Sequence, residues 1–318
     1  MKYLIIDKKS SVKVKGVGKY STAVSRIMEE LNKKSIPYDF VYNNQIEFFL
    51  HDGETHIKFN SEDIQKYSHI IFRGHNLHTP REYEMKRLIV DWTDQYNLTH
   101  PNSKVLVQNG AAIKKLPYYN KIYTAQICAT HNIPYFDTYY SSSGNYNKPR
   151  EILNKYPLII KEYVGVNRID KKLGKRVVKK NVYKLNNIND LKQKHLRRQN
   201  LKEFFIQEFS TTPKDIRIFV KLGTVIGGWK REASNGFMTV NKGIYHMYNK
   251  PNDEIKILAE KVAKVFDADF IAVDFMFKNN KPYLQEISLH PGFKAYETKI
   301  TDGPPVNIAE AIITAFKS

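Results

Sequence analysis

Short apolar runs alternate with helix-like segments along the first third of the chain. The apolar runs predict strands at Tyr3–Ile6, Tyr38–Tyr42, His69–Arg73 and Val105–Val107. Apolar residues spaced three and four apart predict helices at Tyr20–Lys34 and Glu82–Tyr96. Ser21 is the favoured N-cap of the first helix, with Thr22 and Gly18 as alternatives. This alternation favours an α/β domain with a largely parallel sheet over residues 1–109.

The remaining two thirds of the chain contains a different mixture of elements. The predicted helices are Tyr119–His131, Asn189–Arg198, Ile255–Phe266 and Val306–Phe316. The predicted strands are Pro157–Tyr163 and Phe204–Phe209, followed by a hairpin of Asp215–Val220 and Thr224–Trp229. A second hairpin, from Phe270 to Gly292, carries most of the candidate chemistry.

Each strand of that second hairpin has an acidic residue among apolar ones, Asp274 in the first and Glu286 in the second. A carboxylate in an apolar strand is costly to bury unless a partner compensates it, so a shared cation is expected. Side chains alternate faces along a strand, which puts Glu286 and Ser288 on one face. Asp274 joins that face only if the loop has an odd length, such as Asn279-Asn280-Lys281. The alternative is a solvated hairpin with both acids in water.

Composition narrows the class of protein. At 318 residues and 42% hydrophobic content, the chain can form two or three packed units. The first residues are too polar for a secretory signal, and no apolar run approaches the length of a membrane span. The single Cys128 fits a reducing compartment and is expected to be buried as a small apolar residue. We therefore expect a cytoplasmic location.

Positive charge dominates the chain, with a net charge of +19, and indicates an anionic partner. It is concentrated in the middle, because Lys161–Lys202 contains 14 Lys or Arg and 3 Asp or Glu. The lysines of this segment either face solvent or recruit an acidic acceptor. Arg73, at a strand end, is a candidate for gripping an anionic substrate, with a surface arginine as the alternative. The loop KGVGKYS before the first helix is either a phosphate cradle or an ordinary loop.

Taken in order, several segments resemble the ATP-grasp superfamily and, within it, the RimK-like amino-acid ligases. These segments are YYNKIYTAQICATHNIP, PLIIKEYVG, FFIQEF, DIRIFVKLGTVIGGWKRE, VNKG, FIAVDFMF and QEISLHPG. The resemblance implies a Rossmann-like α/β domain followed by an ATP-grasp fold of two α+β subdomains. We accordingly divide the chain into an N-terminal domain, residues 1–109, a central subdomain, 110–205, and a C-terminal subdomain, 206–318.

The same resemblance implies roles for individual residues. Those implied to bind ATP are Lys121 and Lys161 at the phosphates, and Gln207, Glu208 and Phe209 at the nucleotide. Those implied to stabilise the transferred phosphoryl group or an acyl-phosphate are Arg217, Arg231 and Asn241. For Arg217, a structural pair with Asp215 is the alternative.

The implied metal ligands are Asp274, Glu286 and Ser288, which would hold two magnesium ions, with Mn²⁺ as a substitute. Carboxylate and phosphate oxygens suit magnesium. The family usually has Glu-x-Asn where this chain has Glu286-Ile287-Ser288, so the second ion is the weaker expectation. The resemblance also implies a mobile loop that covers the site as a lid, and Gly165–Lys175 is the candidate. This predicted lid is poorer in glycine and richer in lysine than the family's phosphate-covering loop.

The resemblance implies an ATP-dependent carboxylate–amine ligase that forms an amide through an acyl-phosphate. Its partners would be a carboxylate substrate, such as an amino acid, and an amine acceptor, which the basic segment suits if acidic. Homo-oligomers are left open, and no nucleic-acid module is recognised. Two alternatives remain: a kinase of a polyphosphorylated small molecule, and a degenerate protein that binds a polyanion.

Overall fold

The computed structural model describes residues 1–8, 20–73, 80–116, 121–146, 156–163, 168–170, 175–177, 182–193, 196, 200–210, 212–232 and 243–317. The strands of the first part are β1 (Tyr3–Asp7), β2 (Tyr38–Tyr42), β3 (Glu47–His51), β4 (Glu54–Phe59), β5 (Glu62–Asp63), β6 (His69–Phe72) and β7 (Leu106–Val107). The helices of the same part are α1 (Thr22–Lys33), α2 (Pro80–Thr99) and α3 (Gly110–Lys115).

A parallel sheet forms the centre of this part, in the order β2-β1-β6-β7. Strand β1 is buried along its whole length, as expected of a central parallel strand that is covered on both faces. Helix α1 begins after Ser21, whose side chain accepts a hydrogen bond from the backbone N–H of Val24 at 3.4 Å. The predicted α/β architecture and the favoured N-cap are confirmed.

Strands β3, β4 and β5 form a separate antiparallel sheet that the sequence analysis did not predict. Strand β3 is mostly exposed, and Leu50 keeps 80% of its surface accessible. Its apolar residues therefore do not alternate between a buried and a solvated face, and period-two patterning gives no signal for such a strand.

The middle of the chain folds around a second sheet. Its elements are α4 (Lys121–Thr130), β8 (Thr138–Tyr139), β9 (Leu158–Glu162), β10 (Arg168–Asp170), β11 (Lys175–Val177), β12 (Val182–Leu185) and β13 (Phe204–Glu208). Strands β12-β9-β13-β8 form an antiparallel sheet. Strand β10, inside the predicted lid, pairs with β11, which begins at the last residue of that lid. The boundary expected between residues 205 and 206 falls inside β13, so we propose that the central subdomain extends to Glu208.

The helix expected at Asn189–Arg198 is wrong over residues 189–193, whereas Leu196, the other described residue of that range, is helical. A 3-10 helix, Ile188–Lys192, takes its place. The side chain of Asp190 accepts hydrogen bonds from the backbone N–H groups of Asn186, at 2.6 Å, and Asn187, at 3.4 Å. Asparagine and aspartate side chains that bond to nearby backbone favour such tight turns over a continuing α-helix.

The C-terminal part contains β14 (Lys214–Lys221), β15 (Thr224–Glu232), β16 (Ile244–Met247), α5 (Asp253–Val265), β17 (Phe270–Lys278), β18 (Lys281–Ser288), α6 (Lys294–Lys299) and α7 (Ile308–Ile313). Its strands form an antiparallel sheet in the order β16-β15-β14-β17-β18. Ile216, Ile218 and Val273 point into the core under α5, because alternate side chains share a face. The opposite face therefore carries Asp215, Arg217 and Asp274.

The β17–β18 hairpin reaches its predicted pairing by an unexpected route. Its turn is the two-residue Asn279-Asn280, both with positive φ, so the odd-length loop expected from the sequence is wrong. Asp274 nevertheless lies opposite Glu286, because the register shifts between Asp274 and Phe275. Gln285 is the extra residue of this β-bulge, and the bulge turns Glu286 to the face of Asp274.

The side chain of Asn109 links the N-terminal part to this hairpin through hydrogen bonds. Its side-chain amide donates to the carbonyl of Phe270 at 2.9 Å and to that of Leu289 at 3.0 Å. Its side-chain oxygen accepts from the backbone N–H of Asp269 at 2.8 Å. One asparagine therefore holds the start of β17 and the end of β18 together. Among the described residues, no helix is both long and apolar enough to cross a membrane.

Candidate active site

Two arginine–aspartate pairs lie side by side on the face of the C-terminal sheet opposite α5. Arg217 and Asp274 are cross-strand neighbours, with Nε–Oδ1 and Nη2–Oδ2 both at 2.7 Å. Arg231 faces Asp215 across β14 and β15 and donates to both of its carboxylate oxygens, with Nε–Oδ1 at 3.0 Å. The alternative pairing of Arg217 with Asp215 is therefore wrong, since each aspartate has its own arginine.

The bidentate geometry fixes the Arg217 guanidinium and its charge. Its Nη1 also donates to the carbonyl of Gly292 at 3.3 Å, and the ring of Trp229 lies 5.5 Å from Cζ. Burial opposes this charge, but Asp274, Glu286 and Asp215 outweigh it and raise the pKa of Arg217. Arg217 is thus a permanent, oriented cation.

Glu286 extends this group, because it lies opposite Asp274 across the bulge. Lys121, at the start of α4, approaches Glu286 with Nζ–Oε1 at 3.4 Å. Ser288 follows two residues later and pairs with Ala272. The chain thus brings Lys121, Arg217, Asp274 and Glu286 together on one face of the sheet, where carboxylates and cations alternate.

The ligand set fits magnesium in kind. Asp274 and Glu286 supply two carboxylates, and Mg²⁺ favours oxygen ligands, with phosphate and water completing its shell. No cluster of three or more His, Cys, Asp or Glu able to hold a metal occurs in the described ranges. The site therefore fits an ion that is shared with a phosphate group. It does not fit a protein cage that binds metal alone.

Arg231 is further enclosed than a surface arginine, with 9% of its surface accessible. Burial raises the pKa of its partner Asp215, even though the nearby guanidinium opposes that rise. The rings of Trp229 and Tyr245 lie 5.8 and 5.7 Å from its Cζ. Asp215 was not predicted as a site residue. Its position two residues before Arg217, on the same face, is the signal that could have identified it.

Lys161 and Gln207 form a second group on the central sheet. Lys161 is 6% exposed, and its Nζ donates to Oε1 of Gln207 at 2.8 Å. Gln207 in turn donates to the hydroxyl of Thr138 at 3.0 Å. The ring of Phe205 lies 5.2 Å from the Lys161 Nζ.

Glu208 connects the two sheets. Its carboxylate pairs with Lys278 at the end of β17, with Nζ–Oε2 at 2.7 Å, and this hydrogen bond raises the pKa of Lys278. Lys278 was not predicted, and a lysine beside a hairpin turn gives no functional signal in the sequence. Phe209 lies under Lys184, whose Nζ is 4.7 Å from the ring centroid.

Other predicted features fall at least partly outside the described residues. Asn241 and the loop KGVGKYS, apart from Tyr20 and Ser21, belong to this group, as does the predicted lid apart from β10 and the start of β11. Arg73 is described and is 2% exposed, so the surface alternative for it is wrong.

Comparisons with known proteins identify a family and several similar proteins. Residues 119–316 match the family of the RimK-like ATP-grasp domain. The chain is 27% identical over 204 residues to coenzyme gamma-F420-2:alpha-L-glutamate ligase of Methanococcus maripaludis, covering 57% of this chain and 70% of that protein. It is 30% identical over 184 residues to alpha-aminoadipate–LysW ligase LysX of Saccharolobus solfataricus, covering 55% of this chain and 62% of LysX, less than two thirds.

A solved structure supports the fold over almost the whole chain. The ATP-grasp ligase PsnB, complexed with a minimal precursor, Mg and ADP, superposes with a TM-score of 0.66. The superposition covers 98% of this chain and 96% of PsnB at 13% identity, so it speaks for the fold alone. ATP-grasp enzymes use ATP and Mg²⁺. The matched family covers more than half of the chain. The chain therefore belongs to the RimK-like ATP-grasp family and is an enzyme of the ATP-grasp ligase class.

Proposed function

We propose that the chain joins a carboxylate to the amine of an amino acid at the expense of ATP. The observation that carries this proposal is the Arg217–Asp274 pair beside Glu286 and Lys121. Fixed positive charge next to paired carboxylates suits phosphoryl transfer, which depends on positioning and charge neutralisation. A carboxylate oxygen would attack the γ-phosphorus of ATP, giving an acyl-phosphate and ADP. The amine nitrogen would then attack the acyl carbon, lose a proton and release phosphate.

Each charged residue has a role in this scheme. Arg217 would hold the oxygens of the transferred phosphoryl group, and Lys121 and Lys161 would act as point charges on the ATP phosphates. Asp274 and Glu286 would hold magnesium, which neutralises phosphate charge when bound. Asp274 also orients Arg217, so this carboxylate would bind both the magnesium ion and the Arg217 guanidinium.

The remaining predicted residues take supporting roles in the proposal. Gln207 would position Lys161, and Glu208 and Phe209 would line the nucleotide end of the central sheet. Arg231 would reinforce the positive face next to Arg217, and Asn241 would contact the transferred group. Ser288 would complete the ligands of a second magnesium ion.

The relatives guide the choice of substrates. One is named as a ligase of glutamate with a coenzyme, another as a ligase of alpha-aminoadipate with LysW, and PsnB was solved with a precursor. We therefore propose an amino acid as the amine and a peptide, protein or small molecule as the carboxylate. The +11 charge of the segment Lys161–Lys202 favours an acidic partner. A cytoplasmic location follows from the use of ATP and from the single, buried Cys128.

The test is magnesium-dependent ADP release against a panel of carboxylates, with hydroxylamine replacing the amine. Hydroxylamine captures an acyl-phosphate as a hydroxamate, which mass spectrometry identifies. ADP release with a hydroxamate supports the ligase. ADP release with a stable phosphorylated product and no hydroxamate would replace it with the kinase alternative. Failure of the protein to bind ATP would favour the polyanion-binding alternative.

A further inference from the structure

Two buried cations lie at the end of the N-terminal parallel sheet where ligands of such sheets bind. The sheet order β2-β1-β6-β7 places a topological switch point between β1 and β6. Open parallel sheets bind ligands in the crevice outside the carboxyl ends of their strands at such a point. Asp7 ends β1, and Arg73 directly follows β6.

Arg73 has more donors than the described part of the chain satisfies. Its Nη2 donates to the carbonyl of Pro291 at 2.8 Å, and the ring of Phe293 lies 5.8 Å from Cζ. Its Nε and Nη1 are buried and have no hydrogen-bond acceptor among the described residues. An unsatisfied buried charged donor is expensive, so an acceptor from a ligand would be strongly favoured.

Lys86 brings a second cation to the same place from the inner face of α2. It is 1% exposed, and its Nζ lies 2.8 Å from Nε2 of His290. The rings of Phe72 and Tyr83 lie 5.5 and 5.8 Å from this nitrogen. The buried hydroxyl of Tyr83 also has no partner within the described ranges. Arginine, lysine and tyrosine donors therefore lie together at this end of the sheet.

The turn after β18 separates this cluster from the phosphoryl-transfer site. Arg73 donates to the carbonyl of Pro291, and Arg217 donates to the carbonyl of Gly292. The two guanidinium groups therefore hold successive peptide carbonyls of one turn. A substrate bound at Arg73 would be adjacent to the reacting centre at Arg217 but would not occupy it.

We propose that Arg73, Lys86 and Tyr83 bind the carboxylate of the amino acid that supplies the amine. The inference rests on the proposed function and names the part of the substrate that does not react. A carboxylate presents two oxygens to the fork of a guanidinium and has lone pairs left for an ammonium and a hydroxyl. Binding at this cluster would leave the amine free to reach the acyl-phosphate beside Arg217.

Calorimetric titration of the standard L-amino acids into the full chain, with Mg²⁺ and ADP present, tests the inference. We expect at least one amino acid to bind and its α-carboxamide not to bind. Lys86→Met and Arg73→Leu should each weaken that binding about ten- to a hundredfold, because a hydrogen bond to a charged group is lost. Lys114→Met is the control, since Lys114 pairs with Asp94 on the exposed surface and should bind as the parent does.

Several outcomes would overturn the inference. These are binding of no amino acid to the parent chain, binding that survives amidation, and binding that survives both substitutions. Loss of orthophosphate binding alone in the two variants would replace the carboxylate by a phosphate group. Arg73→Lys keeps one charge at the site and should recover part of the affinity, which a merely structural role would not explain.

Two further measurements separate the failure of the inference from the failure of the proposed function. ADP titrated alone should bind the parent and both variants equally, and absence of binding to the parent would count against the proposed function. Hydroxylamine has no carboxylate, so Lys86→Met should lower amino-acid ligation about tenfold more than it lowers hydroxamate formation. An equal loss of hydroxamate formation and amino-acid ligation would overturn the carboxylate site and leave the ligase intact.

Discussion

Arg217 and Arg73 are two buried arginines that bond to neighbouring carbonyls, yet their electrostatic surroundings are opposite. Arg217 has a bidentate aspartate, and the surrounding carboxylates raise its pKa. Arg73 has one carbonyl acceptor in the described structure, and burial lowers its pKa to about 10, with Asp7 opposing the shift. Among the described residues, Arg217 therefore has a bidentate carboxylate partner, whereas Arg73 is opposed in charge by Asp7 and bonds through its side chain to a carbonyl.

Strand geometry explains the difference. Arg217 lies in the interior of β14, where a cross-strand neighbour on β17 is always within reach, and that neighbour is Asp274. Arg73 lies just beyond the last residue of β6, where its backbone N–H still donates to the carbonyl of Ile6 in β1 at 2.7 Å, but its side chain has no bidentate carboxylate partner among the described residues. A cation in a ladder can be oriented by the sheet, whereas a cation at a strand end faces the crevice where ligands bind.

The largest expected effect comes from breaking the compensated pair. Arg217→Met should lower kcat by about a thousandfold, because an oriented charge at the transferred phosphoryl group is lost. It also leaves Asp274 without its guanidinium partner, so the free energy of unfolding should fall by about 3 kcal/mol. ADP release and urea unfolding measure the two effects.

A matched control for that variant lies on the same strand. Lys214, at the exposed first residue of β14, pairs with Glu232, with Nζ–Oε1 at 3.2 Å. Lys214→Met should change the free energy of unfolding by less than about 1 kcal/mol and should leave kcat unchanged. Equal losses in both variants would show that strand β14 tolerates no substitution, and Arg217 would lose its assigned role.

Lys161 differs from both arginines, because its side chain donates a hydrogen bond to the neutral side-chain amide of Gln207. Lys161→Met should weaken ATP binding by about tenfold to a hundredfold, through the lost charge on a phosphate. The free energy of unfolding should fall by about 1–3 kcal/mol, because the buried Oε1 of Gln207 loses its donor while Nε2 keeps its bond to Thr138. Calorimetric titration with ATP and Mg²⁺ measures the affinity. Unchanged affinity would remove Lys161 from the nucleotide site.

The pH dependence of stability tests the buried charge of Lys86, which belongs to the same cluster as Arg73. Burial lowers its pKa to about 7, reinforced by Arg73, while Glu82 and Asp7 oppose the shift and His290 is its hydrogen-bond neighbour. Because the folded value lies below the unfolded one, protonated Lys86 costs stability most below about pH 7. That cost declines as pH rises towards the ordinary lysine value of 10.5.

Replacing this lysine should therefore stabilise the protein where the charge is most costly. Lys86→Met should raise the free energy of unfolding by about 2 kcal/mol at pH 6, and the difference should shrink at about pH 9.5. Urea titrations at the two pH values measure this. A variant that is less stable than its parent at pH 6 would show that the hydrogen bond between Lys86 and His290 stabilises the fold by more than the buried charge costs, and that Lys86 is not held for a ligand.

The sequence predicted ladder positions better than it predicted their exact partners. Period-two patterning placed Asp274 and Glu286 on neighbouring strands, but made their pairing depend on an odd-length loop that the structure does not have. The route was missed, because a bulge at Gln285 depends on packing and leaves no mark on local composition. The partner of Arg217 was open for the same reason, since cross-strand registers join residues far apart in sequence. Burial of Lys86 was also beyond reach, because an isolated lysine on a helix normally faces solvent.

The smallest expected effect concerns Ser288, where the family usually has asparagine. Ser288 pairs with Ala272, two residues beyond Glu286. Ser288→Asn would add a longer oxygen ligand beside the compensated pair, so it should lower the Mg²⁺ concentration for half-maximal ADP release about threefold. Ser288→Ala removes the hydroxyl and should raise that concentration by a similar factor. If neither variant shifts the magnesium dependence, Ser288 is not a ligand, and Asp274 and Glu286 alone supply the protein oxygens. In that case the charges on this face of the sheet would be balanced mainly by the Arg217–Asp274 pair, without a second metal ion bound at Ser288.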